Sequence, residues 1–103
     1  MVIIWDKNAR NDLKQYMKHS KMYAKDKLKN YINDLIKYID TLITSPYLGK
    51  SLYYHNNYEV RQLIYRMHRI FYYIKEDKII ISAVFHMERN IDDVIENINE
   101  YIK

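Results

Sequence analysis

The stretch VRQLIYRMHRIFYYIKEDKIIISAVFHMERN, Val60 to Asn90, decides how this chain folds. It is rich in isoleucine, tyrosine, valine and phenylalanine, residues that suit a pleated, half-buried surface. KED supplies a short polar turn, so Tyr58–Ile64, His68–Lys75 and Lys78–Phe85 read as three strands of an antiparallel meander. Into these segments the chain inserts Arg61, Arg66, His68, Arg69, His86 and, just beyond, Arg89. Threonine or valine would serve a sheet that only had to fold. The cations are therefore either solvated edge charges or the lining of a surface that handles an anion.

Upstream, VIIW at residues 2–5 is a short β-rich run closed by Asp6, a good helix N-cap. Ala9, Leu13, Tyr16 and Met17 then recur at helical spacing, with Arg10, Asn11, Lys14 and Lys18 on the other side. His19 and Ser20 interrupt the pattern, after which Ala24, Leu28, Tyr31, Ile32, Leu35, Tyr38, Ile39 and Leu42 trace a longer stripe. One straight helix from Lys7 to Ile43 would run roughly 55 Å at about 1.5 Å per residue, too long for so small a domain, so two helices in a hairpin are expected. Pro46 and Gly49, the only proline and glycine, mark a loop in TSPYLGK. Beyond Arg89, Asn90 reads as an N-cap with Asp92 and Asp93 in the first turn, and Ile91, Val94, Ile95, Ile98 and Ile102 form the apolar face of a closing helix.

The expected order is β-α-α-β-β-β-α, an α+β domain over residues 1–103: a small antiparallel sheet, a helical hairpin packed on one face, and a C-terminal helix. At 103 residues there is room for one core, and 49% hydrophobic with 29% charged residues argues for dense secondary structure. No long apolar run suggests a membrane span, and MVIIWDKNAR lacks the features of a secretory signal. Without cysteine there are neither disulfides nor thiolate zinc sites, and a cytoplasmic protein without metal or cofactor is the expectation. The formal charge of +4 and pI near 9.2 bias it toward polyanions or an acidic protein partner. Most of the 12 tyrosines should be core or rim residues with a wet hydroxyl.

Alternation within strands sets Arg61 with Glu59 and Leu63, Arg69 with Phe71 and Tyr73, and His86 with Val84 and Ser82. Val60, Ile64, Ile70, Ile74, Ile79, Ile81, Ala83 and Phe85 are the better core candidates. If that set packs under the helices, Arg61, Arg69 and His86 converge on the opposite face, although parity within a strand does not by itself set register between strands. Arginine matches phosphate oxygens and histidine exchanges protons near neutral pH, so such a group suits metal-free phosphodiester cleavage. The competing reading is that the arginines guard the sheet against edge pairing and His86 caps a loop. His19 and His55 have no neighbours that give them a task, His68 should point toward the core side, and Lys7, Lys14, Lys18 and Lys21 read as a solvated helix face.

VRQLIYRMHRIFYYI followed by KEDKIIISAVFHMERN resembles the C-terminal half of the RelE/ParE superfamily of bacterial toxins, in which V-R-x-L, R-[IV]-x-Y and H-x-x-R motifs recur in that order. VIIWDKNARNDLKQYM is similar to the superfamily's opening strand and helix, and LITSPYLGK to its link after the helical hairpin. The resemblance implies the toxin of a type II toxin–antitoxin module, silenced by a cognate antitoxin. RelE-like members cut messenger RNA, commonly on the ribosome; ParE-like members poison DNA gyrase without hydrolysis. By the resemblance, Arg61 and Arg69 help bind and stabilise phosphate, while His86 and Arg89 open and close H-x-x-R.

The expected activity is metal-free, ribosome-dependent mRNA cleavage with His86, Arg69 and Arg61 as catalytic residues and Arg66, Arg89, Tyr73 and Lys50 binding RNA or phosphate. Gyrase poisoning is the alternative, because no tyrosine or histidine follows soon after the final strand and Arg66 replaces a glycine common in the turn between the second and third strands. A non-toxic nucleic-acid-binding module is a third reading, and would show marked salt sensitivity.

Overall fold

The computed structural model describes residues 1–20 and 25–87. Strand β1 (Val2–Trp5) leads into helix α1 (Lys7–His19), helix α2 (Lys25–Asp40) and a 3-10 turn (Thr41–Ile43). Four strands follow: β2 (Lys50–His55), β3 (Tyr58–Tyr65), β4 (His68–Lys75) and β5 (Lys78–His86). The sheet has the order β1-β5-β4-β3-β2. It is mixed, because β1 lies parallel to β5 while β2 to β5 form an antiparallel meander. The α+β class, the helical pair and the three strands read from the sequence are all present. The additional strand is β2, and the expected closing helix lies outside the described residues.

Local chemistry explains the boundaries. Asp6 caps α1 by accepting the Lys7 N–H at 2.7 Å, and Ser20 ends it in extended conformation with its N–H on the Tyr16 carbonyl. The meander turns at Asn56-Asn57 and Glu76-Asp77, where both residues have φ between 50° and 70°, the left-handed pairing that two-residue hairpins favour. At the β3–β4 turn only Arg66 (φ 46°) is left-handed, a conformation that costs a side-chain-bearing residue about 1 kcal/mol relative to glycine.

The main core lies between the helices and one face of the sheet. Ala9 and Leu13 of α1 with Tyr31, Ile32, Leu35 and Ile39 of α2 meet Leu63, Ile70, Tyr72, Ile79, Ile81 and Val84. Leu35, Ile39 and Leu42 are fully buried, each contributing about 1.5–3 kcal/mol by leaving water. The other face carries a smaller cluster of Val60, Phe71, Ala83 and Phe85, with Leu52, Tyr53 and Tyr73 packed against it, and no described helix contributes.

The division between faces turns on one irregularity. The β4–β5 register passes from Tyr72↔Ile81 to Phe71↔Ala83, so Ser82 is an inserted residue. Its buried hydroxyl donates to the Phe71 carbonyl at 3.1 Å. This bulge reverses the facing of everything after it: Ile79 and Ile81 point to the helices, and so do Val84 and His86 rather than Ala83 and Phe85. Strand β1 stops opposite Ile81, and α1 covers the continuing edge of β5, where Asp12 Oδ2 accepts the Val84 N–H at 2.9 Å.

Candidate functional site

Arg61 pairs across the sheet with Tyr72, which belongs to the helix-side core, so the expected assignment of β3 is reversed. Leu63 points inward at 3% exposure, whereas Ile64 is 47% exposed. Both terminal nitrogens of the Arg61 guanidinium are engaged by the protein, while its buried Nε has no partner. Nη2 pairs with Glu59 at 2.7 Å, Nη1 donates to the carbonyls of Gly49 at 2.6 Å and Tyr47 at 3.3 Å, and the fork lies over the Tyr47 ring. Glu59 is held below its ordinary pKa, chiefly by the Ser51 hydroxyl, with Tyr54 and Arg61 adding to it. Beside this group, the Tyr72 hydroxyl accepts the Gly49 N–H at 2.8 Å and donates to the Pro46 carbonyl at 2.9 Å. Arg61 and Tyr72 thus pin the 46–49 loop to the sheet.

Arg69 lies on the other face, as the sequence suggested, paired with Ile64 and Phe85. Its Nη1 donates to Gln62 Oε1 at 3.0 Å, while its buried Nε has no partner. Lys50 is opposite Gln62 and therefore shares this face. Tyr73 does too, its ring tilted against that of Tyr58 with centroids 5.1 Å apart, and burial raises its hydroxyl pKa. Arg66 is exposed at the β3–β4 turn, its guanidinium over the Tyr65 ring at 5.4 Å. Arg89 lies outside the described residues.

His86 stands opposite His68 on the helix side, ring centroids 5.6 Å apart. His68 points to the core side, as expected. It is 2% exposed, its Nδ1 is 2.7 Å from the Tyr31 hydroxyl, and the Tyr16 ring meets it edge-on at 4.4 Å. The same Tyr31 hydroxyl accepts the Met67 N–H. Burial pushes the His68 pKa down to about 4, with His86 adding to the effect, so its imidazole is neutral at physiological pH. Burial likewise raises Tyr31.

The three expected catalytic side chains do not meet. Arg69 projects from one face, and Arg61 and His86 from the other. Four residues along the strands and two strand spacings put Arg61 and His86 about 16 Å apart at their Cα positions. What the fold does bring together is Lys50, Gln62 and Arg69 on one face, and His68, His86, Tyr31 and Tyr16 on the other. The Tyr31–His68 pair was not foreseen; its only trace in sequence is a histidine at an inward strand position. Among the described residues no group of three metal-ligating side chains occurs, and no helix is long and apolar enough to cross a membrane.

The model of the ParE toxin of the type II toxin–antitoxin system, parDE, matches residues 3–91. The chain belongs to the ParE toxin family. It is accordingly a type II toxin of the RelE/ParE superfamily. The ParE-type fold is seen again in a solved chain described as "Chromosomal ParDE TA system from P. aeruginosa", with a TM-score of 0.69 at 16% identity, covering 85% of this chain and 97% of that one. A search of curated proteins gives no match.

Proposed function

We propose that this toxin arrests growth as a non-hydrolytic poison of DNA gyrase, held silent by a cognate antitoxin, and that it does not cut RNA. The observation that carries the reading is the separation of Arg61, Arg69 and His86 across the two faces of the sheet. RNA cleavage needs a base at the 2′-hydroxyl, an acid at the leaving oxygen and a cation at the phosphate, all within hydrogen-bond reach of one phosphodiester. Side chains leaving opposite faces cannot surround one phosphate. The Arg61 fork is spent on Glu59, Gly49 and Tyr47. Poisoning by binding asks only for a shaped surface, and membership of the ParE family favours gyrase as the target.

Induced expression separates the readings. The wild type and an Arg69→Ala/His86→Gln double variant should arrest growth equally, with messages intact in both. A harmless double variant of normal abundance, or wild-type arrest accompanied by cleaved messages, would overturn the proposal.

A further inference from the structure

Helix α1 carries a line of positive charge that the core does not use. At 3.6 residues per turn, Arg10, Lys14, Lys7, Lys18 and Asn11 fall within about 100° of one another around the helix axis. All five are exposed, on the side away from buried Ala9 and Leu13. The stripe is about 16 Å long from Lys7 to Lys18, and its first turns hold a shallow depression lined by Lys7, Asn8, Arg10, Asn11 and Lys14.

Two features set it apart from an ordinary solvated face. Asp6 at the cap and Asp12 within the helix accept the Lys7 and Val84 N–H groups, and the stripe's cations form no ion pair with another described residue. Further, the first turn contains no acid and does contain Lys7 and Arg10, where the helix dipole favours negative side chains. Cations placed there work against the helix but reinforce its attraction for an external anion.

We infer that this stripe is a docking surface for the phosphate backbone of duplex DNA. A stiff row of cations and asparagine amides matches a stiff polyanion, and about 16 Å of duplex axis carries about nine phosphates with both strands counted, enough to partner the four cations. No aromatic side chain lies in the stripe to stack on splayed bases, as recognition of single-stranded RNA requires. An amphipathic peptide would need apolar anchors, and Met17 at the border is the only exposed large apolar residue of α1 among the described residues. Contact is therefore to backbone and carries no sequence preference. The inference does not depend on gyrase being the target, since a toxin with another target would carry the same surface.

The test is fluorescence anisotropy of the full chain with a labelled DNA duplex of about two helical turns. Four phosphate contacts give a slope near −3.6 in log K against log salt, so affinity should fall on the order of 150-fold between about 50 and about 200 mM salt. Replacing Lys7, Arg10, Lys14 and Lys18 together by Gln should flatten the slope to near zero while leaving the thermal melt unchanged. Arginine at the three lysines should retain binding. Each of three results would overturn the inference: no binding by the wild type, a slope unaltered in the glutamine variant, or poly-glutamate or duplex RNA binding at least tenfold more tightly than the DNA duplex.

Discussion

His68 makes the stability of this domain dependent on pH in a calculable way. In the unfolded chain its imidazole titrates near 6.5, whereas burial holds it to about 4 in the folded state. The folded protein therefore binds fewer protons than the unfolded chain between those values, and stability rises with pH across the window. The contribution is fully present above about pH 6.5 and is lost as pH falls toward 4. Integrating the two titrations gives a loss of about 2 kcal/mol between pH 7 and pH 5 and about 3 kcal/mol in all. No discount for solvent screening applies to a side chain that is 2% exposed. Urea unfolding at pH 7 and pH 5 reads this directly. The control is His68→Phe, which keeps a ring against Tyr16 and leaves the Tyr31 hydroxyl its contact with the Met67 N–H. The wild type should lose about 2 kcal/mol more than the variant over that interval. Because each protein is compared with itself, any packing cost of the substitution cancels. Equal losses in the two proteins would refute the reasoning, showing that His68 protonates as easily folded as unfolded.

Two further predictions concern the features that shape the sheet. A Cβ at Gly49 would sit 2.6 Å from Tyr72 Cε1 and 2.9 Å from the Gln62 carbonyl, so Gly49→Ala should destabilise by about 1–3 kcal/mol in urea unfolding; an unchanged midpoint would show that the loop can lift away freely. Deleting Ser82 removes the bulge and makes the Tyr72↔Ile81 and Phe71↔Ala83 pairs consecutive while Val84 and His86 still face the helices, so the deletion should keep a cooperative thermal melt monitored by circular dichroism. Loss of cooperative unfolding would contradict the reading of Ser82 as an inserted residue.

Much of the fold was legible because its signals are local. The Asp6 cap, the apolar spacing of α1 and α2, and the β-rich runs bounded by KED all act within a few residues, and the expected strands match the observed ones to within one residue at each end. Strand β2 was overlooked because KSLYYH is only partly apolar and forms the sheet edge, yet Asn56-Asn57 after it is a two-residue hairpin signal. The candidate site was less legible because facing depends on register, which is not local. One inserted residue, Ser82, carries His86 to the helix side. On β3 the apolar residues Val60, Leu63 and Ile64 fit either parity, and the packing of Leu63 and Tyr65 against the helices takes Arg61 with them. Arg69, with neither a bulge nor an ambiguous parity before it, stands where alternation placed it.

The most direct measurement of how the toxin acts is made with purified components: supercoiled plasmid, gyrase, ATP and toxin, with DNA breaks scored after denaturing the enzyme. The account predicts gyrase-dependent breaks that the Arg69→Ala/His86→Gln variant produces as well as the wild type, and an uncut message when the same toxin meets translating ribosomes. Intact plasmid together with a message cut by the wild type and spared by the variant would contradict it.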